Sequence, residues 1–194
     1  MTSILKVDTI QDADGNNIIN ESGNTITIGA SGDTTNVIGT LNKDGSAVAN
    51  TPNFSAVPSS SQTISTASFT AVNFQTEIYD TASAYDGTNK FTVPSGQGGK
   101  YFFKANLSID SVYDGDIIIG NLYKNGNADV GSENESVRTR YIVPKDNTTV
   151  TFNICGLVEA SAGDYFQVYI YHNRGSDRTL NSARSGFIGF KIIE

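Results

Sequence analysis

Lys100-Tyr101-Phe102-Phe103-Lys104-Ala105-Asn106-Leu107-Ser108-Ile109 is the stretch on which the fold turns. Tyr101, Phe103, Ala105, Leu107 and Ile109 fall on one side of an extended chain, and Lys104, Asn106 and Ser108 on the other. Period-two alternation of this kind marks a strand of an antiparallel sheet with one face buried. The pattern recurs over residues 149–158, where Val150, Phe152, Ile154 and Val158 are in register. Over residues 164–172, Phe166, Val168 and Ile170 share one face, while Tyr165, Gln167, Tyr169 and Tyr171 line the other. Both faces of that strand are expected to be covered, one by a facing sheet and the other by a neighbouring subunit. Further strands are expected near residues 72–80, 90–93, 117–124, 137–143 and 186–193. No window sets apolar residues at helical spacing between caps, so almost no helix is expected. Many short strands separated by turn residues imply a sandwich or barrel.

Upstream, the composition changes. The chain has 19 aromatic residues (10 Phe, 9 Tyr, no Trp), and every one lies at or after Phe54. Before it, turn signals recur at Asp14-Gly15, Gly23-Asn24, Gly32-Asp33 and Asp44-Gly45. Short β-branched runs over 17–20, 25–28 and 36–40 lie between them. Such a segment cannot close a core by itself. A disordered tail is one reading of it. Its isoleucines (Ile4, Ile10, Ile18, Ile19, Ile26, Ile28, Ile38) favour another, in which they meet equivalent residues of neighbouring chains about a common axis. The expected organisation is a β-rich stalk over 1–45, a Ser/Ala/Asn/Pro-rich linker over 46–62 and a β-sandwich head over 63–194. A start of the first head strand near residue 54 is the alternative.

A series of landmarks runs through the head. Phe54-Ser55-Ala56 comes first, then Val72-Asn73-Phe74 and Tyr85-Asp86. Phe91, Thr92, Pro94, Gly99, Tyr101 and Phe103 follow, then Leu122, Lys124, Asn125 and Gly126. The series closes with Ala162-Gly163-Asp164-Tyr165-Phe166-Gln167-Val168 and Ser185-Gly186-Phe187-Ile188-Gly189-Phe190. In this order the landmarks resemble the complement-type globular head, a relative of the tumour-necrosis-factor jelly roll. The resemblance implies an all-β, ten-stranded jelly-roll head that forms compact homotrimers, with other copies of itself as its first partner. No Gly-X-Y repeat occurs, so complement function is not implied. The runs Ile4-Leu5-Lys6-Val7-Asp8-Thr9-Ile10 and Thr25-Ile26-Thr27-Ile28-Gly29 resemble N-termini of fibre-like structural proteins of marine tailed phages. That likeness implies a virion-surface protein assembled in a host cytoplasm. Residues 1–45 would then hold other virion proteins, and the head would meet a host-surface glycan or protein. A purely architectural capsid decoration or head fibre, and a polysaccharide depolymerase, are the alternatives.

Charge and chemistry narrow the classes. With 13 Lys and Arg against 20 Asp and Glu, the net charge of −7 argues against nucleic-acid binding. No apolar run reaches the ~20 residues that span a bilayer, so no membrane insertion is expected. Lys6 and Asp8 interrupt the first ten residues, and a secretory h-region is absent there. The single cysteine, Cys155, allows no intrachain disulfide and reads as a small packing residue. His172 is the only histidine. It excludes a multi-histidine metal site within one chain, and at a strand end it is expected to face solvent or a partner. Asp12-Ala13-Asp14-Gly15-Asn16 lacks the glycine and glutamate spacing of a calcium loop and reads as a turn. Gly96-Gln97-Gly98-Gly99-Lys100 lacks the spacing of a phosphate loop and reads as a strand-entry turn. Residues 110–116 hold three carboxylates, read as a solvated loop with a bound cation as the alternative. No catalytic set, cofactor or resident metal is expected.

Antiparallel connectivity gathers alternate loops at one end, here 110–116, 144–147 and 173–185. The candidate binding residues are Tyr113, Asp114, Asp116, Lys145, Arg174, Asp177, Arg178 and Arg184. Exposed loops on a rigid scaffold are the usual place for recognition, and arginine suits planar carboxylate or phosphate groups. Local Arg–Asp pairing is the simpler account of the same residues.

Overall fold

A computed structural model describes residues 9–11, 13–14, 17–22, 25–28, 31–38, 42–43, 46–47, 50–128, 137–146 and 148–193. The chain forms two compact units, Met1–Val48 and Ala49–Glu194.

In the first unit, β1 (Thr9–Gln11), β2 (Asn17–Ser22) and β3 (Thr25–Ile28) make an antiparallel three-stranded sheet. A separate hairpin joins β4 (Asn42–Lys43) to β5 (Ser46–Ala47). Register places Ile10 opposite Ile19 and Ile19 opposite Ile28, giving one isoleucine row across the sheet. All three are exposed, by 39%, 37% and 57%. The strand expected over 36–40 does not extend through its described part. Residues 33–38 lack regular pairing, and Val37 and Ile38 are exposed. A β-branched run becomes a strand only with a partner alongside, and none is present among the described residues. Ala13 and Asp14 form a turn between β1 and β2; the rest of the calcium-like run lies outside the described residues.

In the second unit two sheets face each other. One contains β6 (Asn53–Val57), β7 (Gln62–Ile64), β9 (Thr76–Asp80), β11 (Gly99–Val112), β14 (Thr148–Ala160), β16 (Arg178–Leu180) and β17 (Gly186–Lys191). The other contains β8 (Thr70–Ala71), β10 (Lys90–Thr92), β12 (Ile117–Lys124), β13 (Arg138–Ile142) and β15 (Tyr165–His172). β11 is the spine of the first sheet. β14 runs along one edge of it, and β17 and β16 follow in line along the other. β6 continues the sheet beyond β17, and β7 beyond β16. β16 and β17, β6 and β7, and β8 and β10 are each in-line pieces of one interrupted strand, and the twelve described segments together form the jelly-roll sandwich expected.

Alternation determines what is inside. Tyr101, Phe103, Ala105, Leu107 and Ile109 of β11 are buried, as are Phe166, Val168 and Ile170 of β15. Phe54, Tyr85, Phe91, Phe103 and Phe187 interlock, with ring centroids 4.8–6.4 Å apart. Gly189 lets these rings approach: a Cβ there would lie 2.5 Å from Phe103 Cδ1 and 2.7 Å from Phe54 Cε1. At the Asn125-Gly126 turn both residues have positive φ, 53° and 79°, as a tight hairpin connection requires.

Three expectations need correction. The stretch read as a linker, 46–62, contains β5, all of β6 and the first residue of β7. Its polar composition hides Phe54 and Ala56, which alternate into the core. The strand expected over 72–80 is found only in its second part, β9, while residues 72–75 cross between the sheets from β8, which pairs with β15, to β9, which pairs with β6. Val72 and Phe74 are buried on the way. The stretch 173–185, read as one long loop, holds β16 and a 3-10 turn at Ser182–Arg184, because Leu180 is drawn into the core.

Candidate functional site

The chain ends of the head meet at one end of the sandwich, where the Lys191 N–H donates to Pro52 O at 3.0 Å. At the opposite end, 110–116, 143–146 and 173–178 are tied together. Tyr113 N–H donates to Asp116 Oδ2 at 2.8 Å, Asp114 N–H to Asp146 Oδ1 at 3.0 Å, and Gly115 N–H to Val143 O at 2.9 Å. Ile117 N–H donates to Asn173 Oδ1 at 2.7 Å. The Arg174 guanidinium lies 4.0 Å above the Tyr113 ring, with Nε 3.7 Å from Asp116 Oδ2. Asp177 Oδ1 accepts from Thr66 N–H at 3.1 Å, and Arg178 Nη1 donates to Asp177 O at 2.7 Å. Lys145 is exposed beside Asp146.

Seven of the candidate residues therefore share one end. Arg184 does not join them. It lines an open depression of about 310 Å³ on the outer side of the first sheet, with Lys104, Asn106 and Ile188. The carboxylates of 110–116 diverge: Asp110 accepts from Thr149 and Asn181, while Asp116 faces Tyr113 and Arg174. Arg174 and Asp116 are engaged with each other, so much of this cluster's charge holds its own loops together. The Nε atoms of Arg174 and Arg178 are buried without a hydrogen-bond acceptor.

His172 is fully buried, contrary to the expectation of exposure. It is in phase with Phe166, Val168 and Ile170, so the strand turns it inward. Its Nδ1 accepts from Arg174 N–H at 3.3 Å, which leaves Nε2–H to donate to Ile64 O at 3.0 Å. A histidine held this way anchors a loop. Cys155 departs from expectation in the other direction. Ile154 points inward, so Cys155 is exposed on the outer face of β14, opposite Lys104.

Near the chain ends of the head, burial opposes ionisation of Asp164. Hydrogen bonds from Lys124, Asn125 and Ser161 N–H outweigh it and hold the carboxyl below its usual range. The Lys124–Asp164 ion pair measures 2.8 Å. Asp86 behaves alike: burial opposes its charge, but the N–H groups of Lys90, Asn89 and Thr88, with the Lys90 charge, prevail. A carboxyl depressed in the folded state stabilises the fold above its unfolded pKa, and that contribution is lost as pH falls through the folded pKa. The urea midpoint should therefore hold steady through neutral pH and drop below about 3.8, the ordinary carboxyl value. Asp164→Asn should flatten that drop, and an unchanged acid profile would remove Asp164 from the account.

Each sheet also has an outer face. On the first, Leu157 lies opposite Phe102 and Phe102 opposite Phe190, with the Phe102 and Phe190 rings 5.5 Å apart. The next row reads Cys155, Lys104, Ile188, Ser55, Tyr79. Leu157 is 55% exposed and Tyr79 50%. On the second sheet, Tyr169 stacks on Tyr123 at 3.9 Å, and Phe69 approaches Tyr171 at 5.2 Å and Tyr123 at 6.0 Å. Within one chain Phe69 and Tyr123 cover part of this outer face, and Tyr169 and Tyr171 stay half-buried. Burial, then the neighbouring Tyr169, pushes the Tyr123 phenol up, while the charge of Arg138 pulls it down. Sequence reasoning put Tyr169 and Tyr171 on an outer face without finding Phe69 or the arginines beside them, and it passed over the outer face of the first sheet. The signals were Phe102 and Leu157, each out of phase with the buried residues of its strand, and Arg138 and Arg140 two apart in β13.

No family model matches the chain, and no curated protein matches its sequence. Solved structures share the architecture of the head, two of them as follows. One is the globular domain of zebrafish complement 1qA protein, with TM-score 0.51 and 16% identity, covering 73% of this chain and 97% of that one. The other is murine APRIL, a TNF-like protein, at pH 5.0, with TM-score 0.52 and 14% identity, covering 72% and 98%. At such identity the likeness shows the fold: a complement-type, TNF-like jelly roll.

Proposed function

We propose that the chain is a non-enzymatic virion-surface protein, a homotrimeric fibre or spike. Residues 1–45 engage other virion proteins, and the head meets the host surface. One observation carries the trimer. Both units turn an ordered apolar row outward: Ile10–Ile19–Ile28 in the first, all exposed, and Leu157–Phe102–Phe190 in the second, where Leu157 is exposed and the two rings are half-buried. Contiguous exposed apolar surface marks association, and in each unit copies of the chain would bury its row. The virion setting is supported by the aromatic-free N-terminal segment and its likeness to phage fibre proteins.

Antibody raised against the head should decorate intact particles of the virus encoding the chain. A chain lacking residues 1–48 should fold but fail to load onto those particles. Unlabelled particles, or normal loading of the truncated chain, would overturn the reading. Release of oligosaccharide from host envelope polysaccharide by the purified protein would make it a depolymerase instead.

A further inference from the structure

The second sheet differs in charge from the rest of this acidic chain. Its strands carry Lys90, Lys124, Arg138 and Arg140, and no Asp or Glu. Register sets the two arginines on the outer face beside the rings. Tyr171, Ile119 and Arg140 form one row, and Tyr169, Asn121 and Arg138 the next. Both arginines are exposed, the tyrosines are half-buried, and Lys90 Nζ lies 5.4 Å from the centroid of the Tyr165 ring. Strands lie about 4.8 Å apart, so the backbone of each arginine lies about 10 Å from that of the tyrosine in its row, with the side chains between them on one face. That distance suits a sugar ring laid on the aromatic surface with its carboxylate over the arginine.

Flat, rigid tyrosine faces take the C–H side of a pyranose at little entropic cost, and their hydroxyls remain to hydrogen-bond. Arginine forks fit carboxylates. We propose that this face binds a uronate-bearing acidic polysaccharide, the sugar rings packing on Phe69, Tyr123, Tyr169 and Tyr171 and the carboxylates pairing with Arg138 and Arg140. The proposal deepens the attachment reading, and rests on it for where such a glycan would be met. It places recognition on the sheet rather than on the loops around Arg174.

The test is affinity electrophoresis of the full chain through gels containing polygalacturonate or, as a neutral control, dextran. The protein should be retarded by polygalacturonate alone, and less so as salt rises. Arg138→Gln combined with Arg140→Gln should weaken binding at least about tenfold, the loss of about one charge-assisted contact, with the urea midpoint unchanged. Phe69→Ala, altering the one ring supplied by a connection, should weaken binding at all salt concentrations. The proposal is overturned by no retardation, by equal retardation in dextran, by full binding of the double variant, or by loss with Arg174→Ala and Arg178→Ala instead. Particle labelling by the head antibody does not depend on any of these outcomes, so the two readings fail separately.

Discussion

Removing residues 1–62 should leave a chain that does not fold, whereas removing residues 1–48 should leave a head that unfolds in one cooperative step. The difference is β6, which pairs with both β17 and β9 and places Phe54 at the centre of the aromatic core. Without β6, the edge of β17 and the rings of Phe91, Phe103 and Phe187 lose their cover. Phe54→Ala isolates the side chain. The ring is fully buried and touches four others, so its truncation should cost about 3–5 kcal/mol. Chemical denaturation read by circular dichroism would measure it. A loss below about 1 kcal/mol would mean that the core closes without Phe54.

The second large effect concerns assembly. Phe102→Glu with Leu157→Glu should convert the trimer to a folded monomer. Both side chains point away from the core, so the jelly roll keeps its packing. At an interface about a threefold axis the same changes bury six carboxylates, each uncompensated charge costing several kcal/mol. Cys155, one row away on the same face, gives an independent readout. Its thiol should react with a disulfide reagent at least about tenfold more slowly in the wild-type assembly than in the variant. Equal rates would place the interface elsewhere.

The legible parts of the fold are those governed by a single repeating rule. β12 was readable to its ends as a short apolar run, and β11, β14 and β15 nearly so, because each of these three alternates against one core for eight or more residues. β6 was legible only through the Phe54-Ser55-Ala56 landmark, because a five-residue strand contributes only Phe54 and Ala56 to the core, among serines and prolines. His172 and Cys155 were misplaced for one reason. Residue type was weighed above phase, although the phase of β15 and β14 already put one inside and the other outside. The seven loop residues were brought together by antiparallel connectivity, which the strand order makes readable. Arg184 was separated from them because Leu180 enters the core and Ser182–Arg184 then turns toward the outer face of the first sheet. The outer aromatic face was least readable. It joins Phe69 from a connection to tyrosines of two strands, and no short sequence window contains that contact.

Everything proposed about assembly depends on copies of this chain covering one another's apolar rows. Sedimentation equilibrium of the full chain at micromolar concentration tests that most directly. The account predicts a single species of three 20.7 kDa chains at that concentration. A stable, folded species of one chain would contradict it.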